Sequence, residues 1–152
     1  MTTGKARMIA LLIGAAIIAA LGSVFFTYEL PRLQEAKRIA LGQSLYAANC
    51  AQCHGAELQG QADWQTRLAN GRLPAPPHDA SGHTWHHGDE MLFNITRNGL
   101  KPYASETYES DMPAFAGMLS DEEIRAVITF IKSTWPERES EYQRRVTREQ
   151  DG

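Results

Sequence analysis

The sequence has few cysteines and no surplus of basic charge. Cysteine occurs only twice in 152 residues, too few for the disulfide framework of a small secreted domain. The 15 basic side chains are outnumbered by 18 acidic ones, which excludes a basic surface for nucleic acid. Strand-like alternation and internal repeats are also missing. The sequence therefore predicts one helical domain with an appendage.

One long hydrophobic run is present, near the N-terminus. Residues 8–28 carry no charge, and a helix over them would be about 31 Å long, which is enough to span the hydrocarbon core of a bilayer. A cleaved signal peptide, with small residues 20–23 as its cleavage site, is the alternative, but the apolar part of such a peptide is normally about 7–15 residues long. We therefore predict a membrane anchor over residues 1–28.

Composition divides the rest of the chain into three parts. Pro31 suits the first turn of a new helix, so residues 29–35 are assigned as a short linker before a domain over residues 36–135. Inside that domain, residues 55–82 are rich in glycine, proline, asparagine and aspartate, which predicts a loop with at most one short helix. Residues 136–152 mix arginine and glutamate with few apolar side chains, which predicts a solvated, frayed or disordered tail.

Two later segments are typical of helices. Residues 88–98 have acidic side chains in the first turn and Asn98-Gly99 as a stop signal. The second helix begins with the capping box from Ser120 to Glu123 and ends before Pro136. Its apolar residues follow the i, i+3, i+4, i+7 pattern of a buried helix face. These residues are Ile124, Val127, Ile128 and Ile131.

Both cysteines belong to one motif, Cys50-Ala51-Gln52-Cys53-His54. The spacing C-x-x-C-H is the attachment signature of a c-type haem. Two thiols three residues apart can each form a thioether to one edge of a porphyrin, and the adjacent histidine can then reach the iron. A thioredoxin-like redox pair would need a strand before the motif, and a zinc site would need a second ligand pair. Neither feature is visible.

A methionine is the predicted partner of His54 on the iron. Met112 is followed by proline in a loop ahead of the last helix, and a thioether ligand favours ferrous iron. Met118 is the alternative candidate for this ligand, although packing under the start of the last helix is a simpler role for it. Met91 lies in a predicted helix and is assigned to packing. Four histidines lie within ten residues of one another and could instead bind copper or zinc or replace Met112. These are His78, His83, His86 and His87.

From about Ala36 to Trp135 the chain resembles a class I cytochrome c of the bacterial membrane-anchored kind. The order of three motifs, Cys-x-x-Cys-His, Met-Pro and Ser-Asp-Glu-Glu-Ile, is highly specific to that family. The residues that carry the resemblance are Gly42, Leu45, Tyr46, Asn49 to Gly55, Met112 to Phe115, Leu119 to Ile124, Ile128, Phe130 and Ile131.

The resemblance implies an all-α fold around one covalently attached haem, with the first and last helices of the domain crossing at Gly42. It also implies that a proline carbonyl orients His54 through its Nδ1–H, and either Pro76 or Pro77 matches that position. Trp85 is a candidate for packing against the haem or bonding to a propionate.

The same resemblance predicts an electron-transfer protein and not an enzyme. Haem attachment in bacteria takes place outside the cytoplasmic membrane, so the domain is expected on the periplasmic side of the inner membrane, behind a single-pass anchor. Its expected partners are membrane redox complexes: a quinol-oxidising cytochrome complex or dehydrogenase as donor, and a terminal oxidase or reductase as acceptor. The alternatives are a haem subunit docked permanently in such a complex, and a haem enzyme or gas sensor with a labile sixth ligand.

Overall fold

All regular structure in the described part of the chain, residues 2–105 and 107–150 of a computed structural model, is helical. The expectation of helices without strands is confirmed for these residues. The helices are α1 (Thr2–Val24), α2 (Leu30–Asn49), α3 (Ala51–His54), α4 (Asp89–Asn98), α5 (Asp121–Ser133) and α6 (Glu137–Gln150). Short 3₁₀ turns cover Thr84–His86 and Lys101–Tyr103. The chain divides into two compact units, one ending at Lys37 and the other beginning at Arg38.

The first unit consists of α1, the π-helical turn Phe25–Glu29 and the beginning of α2. Its large apolar side chains are exposed, as in Leu11 (75%) and Ile18 (72%). The helical run Thr3–Asn49 includes one stretch that is long and apolar enough to cross a membrane, a test that a signal sequence near an N-terminus also passes.

Residues 29–35, which the sequence assigns to a linker, are helical. A π-helical turn, Phe25–Glu29, joins α1 to α2, and the N–H of Leu30 donates to the carbonyl of Phe25. Proline has no N–H, and its ring clashes with the carbonyl four residues earlier in a regular α-helix. A wider turn directly before Pro31 relieves that clash, so the helix that the sequence places from Pro31 onwards follows α1 in one helical run.

In the second unit, α2 and α5 touch at a glycine. A Cβ atom on Gly42 would lie 2.0 Å from the carbonyl oxygen of Ala126 and 2.9 Å from Cβ of Phe130. Only a residue without a side chain fits there. Tyr46, one turn further along α2, places its ring 5.5 Å from that of Phe130. The crossing implied by the resemblance is therefore present in the structure.

The core of the second unit lies between α2, α4, α5 and the loops that join them. α4 and α5 begin and end close to the predicted positions, and α5 has the full capping box between Ser120 and Glu123. Their apolar faces meet the side chains of the loops in one continuous cluster, which we call the core cluster. It consists of Tyr46, Leu58, Leu92, Phe93, Phe115, Leu119, Ile124, Val127, Ile128, Ile131 and Trp135.

The prediction of a frayed or disordered tail is wrong for residues 137–150, which form α6. α6 packs on the turn Thr84–His86. Buried hydrogen bonds contribute to this contact: Gln143, only 1% exposed, donates from Nε2 to the carboxylate of Asp89 (2.7 Å) and the carbonyl of His87 (3.3 Å). A polar helix that docks through amides has no apolar stripe for sequence reasoning to find. Residues 151 and 152 lie outside the described residues.

Candidate functional site

The two cysteines and His54 lie on one tight helical turn where α2 ends. The N–H of His54 donates to the carbonyl of Cys50 at 2.9 Å, and Gly55 leaves the helix with a φ of +82°. Neither cysteine forms a disulfide; Cys50 is half-buried and Cys53 is exposed. Burial, with a smaller effect of the neighbouring Cys53, raises the pKa of Cys50 to about 11. The thioredoxin-like alternative needs a strand before the motif, whereas the described residues before it form the helix α2.

His54 is buried, and its ring orientation is set by a backbone oxygen. Its Nδ1 lies 2.8 Å from the carbonyl oxygen of Pro76, so Nδ1 carries the hydrogen and the lone pair is left on Nε2. Burial lowers the pKa of His54, and the hydrogen bond to Pro76 offsets part of that effect. The carbonyl of Pro77 faces elsewhere, and Thr84 Oγ1 donates to it at 3.4 Å. Pro76 is therefore the residue in position to orient His54.

Sequence reasoning did not identify His78 as a neighbour of His54. The ring of His78 stacks on that of His54 with centroids 4.0 Å apart. Nδ1 of His78 is 2.8 Å from Thr84 Oγ1, and the carbonyl of His78 accepts a hydrogen bond from Trp135 Nε1 at 2.7 Å. Burial, then the charges of His54 and His83, lower the pKa of His78 to about 3. Contacts across so many positions of the chain leave no periodic signal in the sequence.

The four histidines considered as a metal site do not form one, although the rings of His83 and His87 lie 5.5 Å apart. His83 stacks on Trp64 with centroids 5.3 Å apart, and His86 packs on Trp85 at 3.8 Å. Within residues 2–105 and 107–150, no three histidine, cysteine or acidic side chains are grouped so that they could hold a metal ion. The described geometry therefore gives no support to a copper or zinc site.

Met112 lies against the core cluster, whereas Met118 does not. Met112 is partly buried and packs on the same cluster as Cys50 and Trp85, while Met118 is 57% exposed. The N–H of Met112 donates to Ser110 Oγ at 3.1 Å. Of the two candidate methionines, the one that faces the interior of the domain is Met112.

Trp85 has a polar atom without a partner. Its indole Nε1 is buried and has no hydrogen-bond partner among the described residues. The ring packs perpendicular to Tyr142 of α6, with centroids 5.3 Å apart. A buried N–H donor that lacks an acceptor is costly, so an acceptor supplied by a bound group would fit here.

Together these residues fit a covalently bound haem. Two cysteines that form no disulfide lie beside an imidazole whose Nδ1 is bonded to the Pro76 carbonyl, so that Nε2 is left for a metal. The thioether of Met112 packs on the same core cluster as Cys50, and the buried N–H of Trp85 lacks an acceptor. An iron porphyrin needs two axial ligands and, in its c-type form, two thioether bonds. This donor set suits reversible one-electron chemistry.

The sequence model of the cytochrome c family matches residues 39–135, more than half of the chain. No curated protein matches the chain. No solved structure matches it either. The matched range begins within α2, ends at Trp135, and includes every candidate haem residue described above.

Proposed function

Because the chain belongs to the cytochrome c family and therefore carries covalently bound haem c, we propose that it is a one-electron carrier of a periplasmic respiratory or photosynthetic chain. A single haem is attached through Cys50 and Cys53, and its iron is held between His54 and Met112. When bound, the haem supplies an iron that alternates between the ferric and ferrous states.

The observation that carries this proposal is the position of Met112. Its side chain packs on the core cluster that also borders Cys50, at the opposite end of the matched sequence from His54. A thioether held in place in both oxidation states keeps the geometry of the site unchanged during electron transfer. A ligand that left on reduction would add reorganisation energy and slow the transfer.

The protein's other residues orient the ligands and exclude water. The Pro76 carbonyl accepts the Nδ1 hydrogen of His54 and so fixes its ring and tautomer. The buried indole N–H of Trp85, which lacks a partner, would be able to donate to an acceptor on the bound haem, such as a propionate. The core cluster would give the haem an apolar surround, which would stabilise the less charged ferrous site.

The N-terminal hydrophobic helix supports a membrane-anchored carrier. We propose that it spans the bacterial inner membrane once, with the haem domain on the periplasmic side. A short connection between anchor and domain keeps the carrier at the membrane surface. Its donor is then a quinol-oxidising cytochrome complex or a dehydrogenase, and its acceptor a terminal oxidase or reductase.

The first prediction concerns the sixth ligand. The ferric protein should show the weak far-red sulfur-to-iron charge-transfer band, and the ferrous protein should resist carbon monoxide at neutral pH. Met112→Ala should abolish the band, admit carbon monoxide and lower the midpoint potential, because axial ligands shift haem potentials over a range of about 0.8 V. Absorption spectroscopy and redox titration measure these effects.

Met118→Ala is the matched control, because Met118 is exposed. It should retain the band, the resistance to carbon monoxide and the potential. Rapid carbon monoxide binding by the unmutated ferrous protein would contradict the carrier and favour a haem enzyme or gas sensor. Loss of the band in Met118→Ala but not in Met112→Ala would show that Met118, and not Met112, is the iron ligand.

A further inference from the structure

The loop that carries Met112 is attached differently on its two sides. On the C-terminal side the backbone is tied to α4: Phe115 N–H donates to the carbonyl of Thr96 (3.2 Å) and Ala116 N–H to that of Arg97 (2.9 Å). Phe115 is also buried in the core cluster. On the N-terminal side, the contacts described for residues 107–111 with other segments are made by side chains.

One arginine makes the main contact on that N-terminal side. The guanidinium of Arg72 donates from Nε (3.2 Å) and Nη2 (3.0 Å) to the same oxygen of Glu109. Its remaining arm, Nη1, donates to the carboxylate of Asp111, the residue directly before Met112. Arg72 is thus shared by two carboxylates of the methionine loop, and its fork-shaped group suits such a contact.

Arg72 is presented by a tight turn. The N–H of Leu68 donates to the carbonyl of Arg72 (2.9 Å), and the N–H of Gly71 donates to that of Leu68 (2.8 Å). Gly71 has a φ of +83°, a conformation that favours glycine. Arg67 Nη1 closes the turn on the Gly71 carbonyl at 2.6 Å. The backbone of Arg72 is therefore well fixed.

The same segment reaches the other ligand. A few residues beyond Arg72, the carbonyl of Pro76 lies 2.8 Å from Nδ1 of His54. The stretch between them is anchored to the loop before it, since Gln61 N–H donates to the Ala75 carbonyl at 2.9 Å and Gln61 Oε1 accepts from Ala75 N–H at 3.0 Å. One segment, residues 72–76, therefore contacts His54 and the loop of Met112.

We propose that Arg72 is a positioning residue that holds the sixth ligand, by clamping the methionine loop through Glu109 and Asp111. This inference rests on the proposed ligation of the iron by Met112. Loss of the clamp increases the fraction of time in which the loop is open and the sixth position is accessible to another ligand.

The solvent exposure of the three side chains limits how strongly they can hold the methionine loop closed. The side chain of Arg72 is 35% exposed, and those of Glu109 and Asp111 are 68% and 57% exposed. A single ion pair of this kind contributes little, but two carboxylates that share one ordered guanidinium contribute more. We expect the open fraction of the loop to rise roughly three- to tenfold without Arg72.

Imidazole is the probe for the open loop. In the ferric full-length protein, imidazole binds only after Met112 has left, so its apparent affinity is proportional to the open fraction. Arg72→Gln should raise that affinity roughly three- to tenfold, and Arg72→Lys should fall between Arg72→Gln and the unmutated protein, because it keeps the charge without the fork. The titration is run well below the unfolding temperature.

Three controls separate the clamp from a general loss of stability. Arg144→Gln removes an exposed ion pair on α6, that with Glu137 at 2.8 Å, and should leave imidazole affinity unchanged. Asp111→Asn should raise the affinity alone but add little in the Arg72→Gln background, since both changes break the same contact. In about 1 M salt, which screens exposed charges, the unmutated protein should approach Arg72→Gln.

The results discriminate this inference from the proposed function. If the unmutated protein shows the charge-transfer band but Arg72→Gln binds imidazole no better than Arg144→Gln does, the clamp is wrong and the ligation by Met112 stands. Full additivity of Arg72→Gln and Asp111→Asn also overturns the clamp. If the unmutated protein lacks the charge-transfer band, the proposed ligation by Met112 is wrong, and the proposed role of Arg72 is then wrong as well.

Discussion

Gly42 is the residue through which the two ends of the haem domain come into contact. The carbonyl of Ala126 on α5 occupies the place that a side chain on α2 would take. Close contact of this kind lets two helices share dispersion contacts along their length. A methyl group there requires the helices to move apart.

The second prediction is that Gly42→Ala lowers the free energy of unfolding by about 1–3 kcal/mol, the usual cost of overpacking a well-packed site. Guanidinium unfolding of the haem-loaded protein measures it. Gly117→Ala is the matched control, because a Cβ atom on Gly117 would have no neighbour within 4 Å. Equal stability of the two variants would mean that α2 and α5 do not touch at Gly42.

For single residues, the sequence predicts those that belong to a recognisable motif. It does not predict those whose role depends only on a contact with a distant part of the chain. Gly42, Tyr46 and Phe130 were expected from the resemblance, and the structure places them together. The choice between Pro76 and Pro77 needed coordinates, because adjacent prolines point their carbonyls in different directions. The stacking of His78 on His54 was not predictable, since an aromatic contact between distant residues imposes no spacing on the sequence.

Helices α4 and α5 were predictable because each carries its own start signal, stop signal and apolar stripe. α6 was not. It begins directly after Pro136, and apart from Tyr142, which packs on Trp85, its described contacts with the domain are polar: Gln150 Oε1 accepts from Gly88 N–H (3.1 Å), and Thr147 Oγ1 accepts from Asp89 N–H (3.2 Å). These groups cap the start of α4 from another helix, a function that composition alone does not reveal.

The third prediction tests α6. Gln143→Ala should destabilise the docking of α6 by about 1–3 kcal/mol, because it removes buried hydrogen bonds to the His87 carbonyl and to Asp89. Hydrogen exchange should show faster exchange of the amides in α6 and at the start of α4. Glu141→Ala, at an exposed position of the same helix, should have little effect. Unchanged exchange in Gln143→Ala would show that α6 is held by other contacts.

On the scale of the whole molecule, charge limits the kind of partner. From Glu29 to Trp135 the chain has 9 basic and 13 acidic side chains, and the propionates of the haem add further negative charge. Several of the basic side chains are paired with carboxylates, including Arg97 with Asp121 and Arg125 with Glu90. A strongly basic docking ring, like that of mitochondrial cytochrome c, is therefore not indicated, and we expect a partner of the proposed carrier to bind a surface with more acidic than basic side chains.

The fourth prediction concerns the membrane. Carbonate-washed membranes should retain the full-length protein, because a helix that spans the bilayer is not removed by breaking ionic contacts. Deleting the residues before Leu30, behind an exported signal, should yield a soluble cytochrome. Sequencing of the mature N-terminus provides the control: a start near Ser23 would identify the hydrophobic run as a cleaved signal peptide.

The contact between Gly42 and Ala126 also bears on the order in which the haem domain folds. Nearly the whole haem domain lies between these two residues in the sequence, and contacts between distant segments form late because the intervening loop must first be closed. The N-terminal part of a chain emerges first, so the Cys-x-x-Cys-His turn emerges before α5, whose side chains belong to the core cluster on which Cys50 packs. The order of residues along the chain thus provides an interval, before α5 packs on α2, in which the thiol of Cys50, half-buried in the folded protein, is fully accessible for attachment of the haem.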